Sequence, residues 1–183
     1  NGLGWIPVLL QVAGEMTKLT RSGMTSILDA ENDAQLTEEA RRTAQQAIGA
    51  SEDRLNWMRQ ARSDYEMAFP IHELQAFVRA EGYYCGLPRP VRLAQITHLQ
   101  TLYAQLYPTL RIYLFDARKV FSAPVTVFGP LLGVVYLGRH YIAFRDTARV
   151  QSLGAHFDWL VRESEVGARD FIQTLDALAT EIA

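Results

Sequence analysis

The sequence predicts an α+β fold with a helical N-terminal part, a long linker helix and a C-terminal part built on a small sheet. Apolar residues recur at helical spacing through residues 1–62, and short β-type runs fill residues 110–146. The sheet is expected to be mixed or antiparallel, to have about four to five strands and to be packed by helices. We therefore place a domain boundary near residue 62, between parts 1–62 and 63–183.

Three helices are predicted in the first part. Trp5–Leu19 has apolar residues at helical spacing, and Pro7 is tolerated in a first turn. Thr20 or Ser22 suits the N-cap of a second helix. A long third helix follows Leu36, and its alanines would let another helix approach closely.

The α+β part begins with the predicted strand YEMAFPI. Two helices are expected next, in ELQAFVRAEGYYCGLPRP and ITHLQTLYAQLY, ending at the Gly/Pro cluster 82–90 and at Pro108. Gly129-Pro130 and Gly138-Arg139 separate the last three of four β-type runs, which predicts an antiparallel meander. These four runs occupy residues 110–116, 123–129, 132–138 and 140–146. The segments DTARVQSLGAHFDWLVRES and ARDFIQTLDALATEI predict two final helices.

The charge distribution excludes a broad polyanion-binding surface. The formal net charge is −2, and residues 1–60 carry six basic against eight acidic side chains. Any DNA contact must therefore be local, since phosphate contacts dominate nucleic-acid affinity. No apolar run is long enough to span a bilayer, no signal peptide is recognised, and the single Cys85 suits a reducing compartment. We expect a cytoplasmic protein with no membrane partner.

Motifs for catalysis and metal binding are missing from the sequence. It has no HExxH, paired CxxC, GxSxG, phosphate-binding GxxxxGK[ST] or GxGxxG. The prediction is therefore a protein that is not an enzyme and has no metal or cofactor. His156 and Asp158, beside Trp159, are better explained as a packed trio at the solvent edge than as a catalytic pair. Cys85 is either a redox sensor or an inert small side chain.

The stretch TRSGMTSILDA, residues 20–30, has the composition of a DNA-reading helix. Such a helix needs small polar residues and a cation at its N-terminal turn and an apolar opposite face. Met24, Ile27 and Leu28 would form the apolar face. The predicted DNA-contacting residues are Lys18, Thr20, Arg21, Ser22, Thr25 and Ser26. The alternative is an ordinary capped amphipathic helix.

The surrounding residues resemble a known family. EMTKLTRSGMTSILDA is similar to the start of a winged helix-turn-helix of the multiple-antibiotic-resistance regulator type, and LTEEARR, residues 36–42, resembles the LTEEGRR after its wing. Lys18 alone separates Met16-Thr17 from Leu19-Thr20, and five residues separate Ala30 from Leu36. These intervals hold neither the family's intervening helix nor its wing. A lambda-repressor-like helix-turn-helix, which has no wing, is the alternative within this class.

Residues 110–163 resemble the C-terminal effector or dimerisation region of bacterial one-component regulators. The segments that carry this resemblance are LRIYLFDAR, SAPVTVFG, YLGRHYIAF and HFDWL. It implies regulation rather than catalysis, with double-stranded DNA, a second copy of the chain and a small-molecule effector as partners. For the homodimer we expect interfaces on the linker helix and on an apolar stripe of the last helix, formed by Phe171, Leu175, Leu178 and Ile182.

Aromatic residues and strand-end cations of the α+β part are candidates for binding a small anionic effector. The predicted ligand-binding residues are Tyr83, Tyr84, Arg111, Tyr113, Asp116, Arg118, Arg139, Tyr141 and Arg145. Salt bridges at the rim of the sheet are the alternative role for these charges. At the level of the whole chain, the alternative to a DNA-binding regulator is a small-molecule-binding or protein-interaction domain without DNA contact.

Overall fold

The computed structural model describes residues 64–182, apart from residues 138 and 139 and the side chain of Tyr83. Within these residues the fold is α+β. The strands are β1 (Tyr65–Pro70), β2 (Leu110–Phe115), β3 (Val125–Phe128), β4 (Leu132–Leu137) and β5 (His140–Phe144). The helices are α1 (Ile71–Arg79), α2 (Arg89–Leu106), α3 (Thr147–Arg162) and α4 (Phe171–Ile182).

The helical part predicted at 1–62 and the boundary near residue 62 lie outside the described residues, so both stay predictions. None of the helices described is long and apolar enough to cross a membrane.

The strands of the described part form two sheets. β1 pairs with β2, while β3, β4 and β5 form an antiparallel meander, as the glycine punctuation predicted. The expected single sheet of four to five strands is wrong: the five strands divide into a sheet of two and a sheet of three, and β2 does not pair with β3. On the side of β2 that does not face β1, Leu114 exchanges backbone hydrogen bonds with the segment at Val166.

Helix α2 begins earlier than its apolar pattern indicates. It starts at Arg89 because Pro90 suits a first helical turn, where no backbone N–H partner is needed. Arg92 ties this start to the preceding chain: its guanidinium donates to the backbone oxygens of Leu87 and of Val78, near the end of α1. The 82–90 cluster is therefore a structured connection between two helices.

The chain folds into two compact units that are interleaved along the sequence. The described part of the first consists mainly of residues 74–111 and 172–182, and that of the second of residues 66–73 and 112–171. In the first unit, Arg79 of α1 pairs with Glu181 of α4 at 2.8 Å, and Gln100 of α2 bonds to Asp176 of α4 at 2.6 Å. Polar contacts thus fasten α4 to both other helices of its unit.

The second unit has a core where strands β1 and β2, the loop after β2 and helix α3 meet. Phe115, Val120 and Leu160 form a buried cluster with Ala68 packed against it. Helix α3 lies on β3 and β4, and Gly133 of β4 faces Leu153 so closely that an added Cβ would stand 2.5 Å from Cδ1. The glycine lets the helix approach the sheet.

The apolar stripe of α4 is buried within the chain. Phe171, Leu175, Leu178 and Ile182 are each at most 4% exposed. The expectation that this stripe forms a dimer interface is therefore wrong: the period that suggested an interface reflects packing in the core of the chain itself.

Candidate functional site

The six residues predicted to contact DNA all precede residue 64 and lie outside the described residues. Lys18, Thr20, Arg21, Ser22, Thr25 and Ser26 therefore stay predictions. Two of the residues predicted to bind an effector also lie outside the part of the chain that the structure describes: Arg139, and Tyr83 as far as its side chain is concerned.

The remaining predicted ligand-binding residues are divided between the two units. Tyr84 and Arg111 belong to the first: Tyr84 is buried with its ring edge-on to Phe77, and Arg111 donates to Pro108 O at 3.3 Å. The other five, Tyr113, Asp116, Arg118, Tyr141 and Arg145, belong to the second.

Asp116 organises the loop that follows β2. Its buried carboxylate accepts the backbone N–H of Arg118 at Oδ1, and the Arg118 guanidinium donates to both oxygens, with Nη2 at 2.8 Å from Oδ2. Backbone N–H groups of Lys119 and Val120 donate to Asp116 O. These bonds turn the chain sharply and bring Val120 into the core.

These bonds also set the ionisation of Asp116. The side-chain hydrogen bond from Arg118, followed by the bond from its backbone N–H, lowers the pKa of Asp116 to about 2. The carboxylate is therefore charged throughout the physiological range, as a permanent partner for Arg118. Lys119, next along the loop, pairs with Glu165 in the segment after α3.

The anion-binding role expected of the Asp116–Arg118 pair is not favoured by this geometry. The Arg118 side chain is 89% exposed, but its Nε and Nη2 already donate to the Asp116 carboxylate at 3.0 and 2.8 Å, which are ordinary distances for charged hydrogen bonds. An anionic effector would have to displace the Asp116 carboxylate from the Arg118 guanidinium, although the turn holds these two residues together. Rim salt bridging, the alternative considered from the sequence, accounts for both residues.

Ser122 and His156 form a contact that the sequence pattern did not indicate. The Ser122 Oγ lies 2.8 Å from His156 Nε2 of α3, and the His156 ring stacks on Trp159 with centroids 5.5 Å apart. The sequence had placed His156 with Asp158, its neighbour along α3. Its partner is 34 residues earlier, and no local spacing signals such a pair.

The Ser122 hydroxyl has two acceptors within reach of its single proton. Its Oγ lies 2.8 Å from Ala123 O and 2.8 Å from His156 Nε2. When the hydroxyl donates to Ala123 O, His156 Nε2 donates to Ser122 Oγ, and the other tautomer of His156 reverses this second bond. The contact joins the segment before β3 to α3.

No family model, curated protein or solved structure matches the chain. Chemistry must therefore be inferred from the residues themselves. Among the described residues, no group of three or more His, Cys, Asp or Glu side chains is placed to hold a metal ion.

A shallow groove runs along one face of α2 in the first unit. Its described lining is Pro90, Leu93, Ala94, Thr97, His98 and Thr101, and its volume is about 530 Å³. The spacing of three and four residues along one helix produces this stripe. It is open to solvent and mainly apolar, which suits loose contact with another surface better than enclosure of a small ligand.

The β3–β4–β5 sheet presents the second exposed apolar region. Tyr141 of β5 is 68% exposed, and Tyr136 lies directly across from it on β4. Tyr113, by contrast, is committed to Glu66 through a 3.1 Å hydrogen bond from its hydroxyl. Arg145, just after β5, is exposed and forms no ion pair with another described residue. Of the predicted ligand residues whose side chains the structure describes, Tyr141 and Arg145 are thus the exposed ones with no partner among the described residues.

Proposed function

We propose that the chain is a bacterial cytoplasmic transcription regulator. In this proposal, residues 1–62 supply a helix-turn-helix that binds double-stranded DNA, and the α+β part dimerises, senses a small-molecule effector, or does both. The observation that carries the proposal is the resemblance of EMTKLTRSGMTSILDA and LTEEARR to a regulator's reading helix and its flank.

The charges of the α+β part do not form a broad phosphate-binding surface. Arg79, Arg118, Lys119 and Arg149 are each paired with a carboxylate, while Arg145 and Arg169 are exposed and form no ion pair with another described residue. In the proposal, phosphate contact is local and falls to Lys18 and Arg21.

The test is replacement of the residues that would face the major groove. We expect Arg21→Ala and Thr25→Ala each to weaken binding to a specific duplex, selected from random-sequence DNA with the full chain, by about 5- to 150-fold, since a specific side-chain contact contributes about 1–3 kcal/mol. Gel-shift titrations at fixed salt would measure this loss.

Arg169→Ala is a matched control, because Arg169 is exposed in the turn before α4 and forms no ion pair with another described residue. Its affinity should equal that of the wild type. The proposal is wrong if the selection enriches no sequence, or if both N-terminal variants bind as the wild type does.

The second candidate function is a protein-interaction domain without DNA contact, and the exposed apolar side chains of the meander favour it. Failure of the DNA selection combined with concentration-dependent association would support this candidate. The missing catalytic motifs weigh against an enzyme.

A further inference from the structure

Among the residues that the structure describes, no strand pairs with the outer edge of β5 in the meander. The strand order β3–β4–β5 leaves two edges, of which β3 is four residues long and is flanked by Pro124 and Pro130. Proline has no N–H to donate, so it protects an edge from pairing. The five residues of β5, His140–Phe144, include no proline, lysine or carboxylate.

The backbone groups that β5 offers at this edge follow from a single hydrogen bond. Tyr136 N donates to Pro124 O, so the N–H of Tyr136 points toward the β3 side of β4. Its partner across β4 and β5 is Tyr141, and this pair is therefore a non-hydrogen-bonded one. Tyr141 and, by alternation, Ala143 direct their N–H and C=O groups away from β4.

We propose that β5 pairs antiparallel with β5 of a second copy of this chain, about a two-fold axis at Ile142, to give a six-stranded sheet. Tyr141 then faces Ala143 of the partner subunit, and four backbone hydrogen bonds form from the outward groups of the two strands. The inference specifies the dimerisation element of the proposed function and does not depend on DNA binding.

The side chains of β5 are complementary to themselves in this register. Each large Tyr141 lies beside a small alanine, and Ile142 meets its own copy at the axis. A two-fold axis brings identical residues together, so a charge near it would repel its copy. The five residues of β5 carry no formal charge, but Arg139 and Arg145 flank the strand and are opposite one another in this register, so their repulsion at the two ends weakens the dimer.

The surface available at this edge fits a weak dimer. Tyr141 and Ile142 are 68% and 46% exposed. Edge pairing covers the outer backbone of β5 and the flanks of these side chains, while Tyr136 and Leu137 on β4 stay outside the seam. The area buried is therefore below about 1,200 Å² in total, the range of weak interfaces, and we expect a dissociation constant in the micromolar range.

Cysteine crosslinking in the full chain tests the register. Cys85→Ser removes the native cysteine, and Ile142→Cys in that background places two thiols across the axis at a Cα separation of about 4.5 Å, within the range for a disulfide. Tyr141→Cys is the matched control, because the two copies of residue 141 are diagonal neighbours about 7–8 Å apart. Mild oxidation should crosslink the first variant at least tenfold faster than the second.

Association of the wild-type full chain is measured by sedimentation equilibrium over a concentration series. Tyr141→Lys adds a charge beside the axis, and Ala143→Pro removes an outward N–H that takes no part in the β4 ladder. Each should raise the dissociation constant at least tenfold. Leu131→Lys changes an equally exposed apolar residue in the β3–β4 turn and should leave it unchanged.

A wild-type chain that is monomeric at all concentrations overturns the proposal, as does a dimer insensitive to Tyr141→Lys and Ala143→Pro, or equal crosslinking of the two cysteine variants. The last two results would assign association to another surface. A monomer that still binds selected DNA refutes this inference alone, and a β5 dimer with no DNA binding refutes the regulator alone.

Discussion

Asp116 shows how one buried carboxylate shapes the loop around it. Asp116 is the last residue before a turn. Each of its carboxylate oxygens can accept two hydrogen bonds, and the backbone N–H and guanidinium of Arg118 are the donors. The nearby Lys119 adds a weaker attraction at 4.0 Å. A carboxylate held by so many donors acts as a fixed element of the fold rather than as a group that exchanges partners.

We expect Asp116→Asn to change the acid sensitivity of the protein. The folded-state pKa of Asp116 lies below its ordinary value, so the carboxylate contributes stability above about pH 4 and loses it as the pH falls toward about 2. The variant should melt at a lower temperature than the wild type at pH 7, and the difference should shrink toward pH 2.

Thermal unfolding followed by circular dichroism across this pH range would measure the effect. Asp158→Asn, at an exposed position on α3, is the matched control and should follow the wild type at every pH. A constant difference between Asp116→Asn and the wild type from pH 7 to pH 2 would contradict the prediction.

Secondary-structure elements of the α+β part could be predicted largely from local pattern. Strand runs bounded by glycine predicted the meander β3–β4–β5, and the apolar period predicted α3 and α4. The sheet organisation could not be predicted, because the pairing of Leu114 with Val166 joins residues about fifty positions apart. The Ser122–His156 contact could not be predicted for the same reason. The two residues are 34 positions apart, and tertiary packing rather than a local spacing brings them together.

Replacing a glycine by alanine should change the free energy of unfolding in opposite directions at Gly133 of β4 and Gly154 of α3. Gly133→Ala places a Cβ against Leu153, so that side chain must move, and we expect a loss of about 1–3 kcal/mol in the free energy of unfolding. Gly154→Ala in α3 meets no atom within 4 Å and should gain about 0.5–1 kcal/mol from reduced backbone entropy in the unfolded chain.

Urea denaturation of the two variants beside the wild type would give both values. Effects of the same sign would show that α3 does not lie against β4 as described.

At the scale of the whole molecule, the proposed β5 pairing and the proposed helix-turn-helix make a joint prediction. A dimer presents two reading helices to half-sites about 34 Å apart, one turn of DNA. A duplex with two half-sites should therefore bind the wild-type chain cooperatively. Tyr141→Lys should lose this cooperativity while keeping its affinity for a single half-site.

Gel shifts on duplexes with one and two half-sites would separate these effects, with Leu131→Lys again as the control. Equal loss of affinity on both duplexes would indicate that Tyr141→Lys disturbs the fold or the DNA-binding part, and would contradict the joint prediction.

The interleaving of the two units along the chain has a consequence for biosynthesis. The first unit takes its described helices from residues 74–111 and from α4, and most of the second unit, residues 112–171, lies between them in the sequence. During translation α1 and α2 leave the ribosome well before α4, whose Glu181 and Asp176 bond to them in the folded unit. The whole chain of the second unit is therefore synthesised before the first unit can be completed.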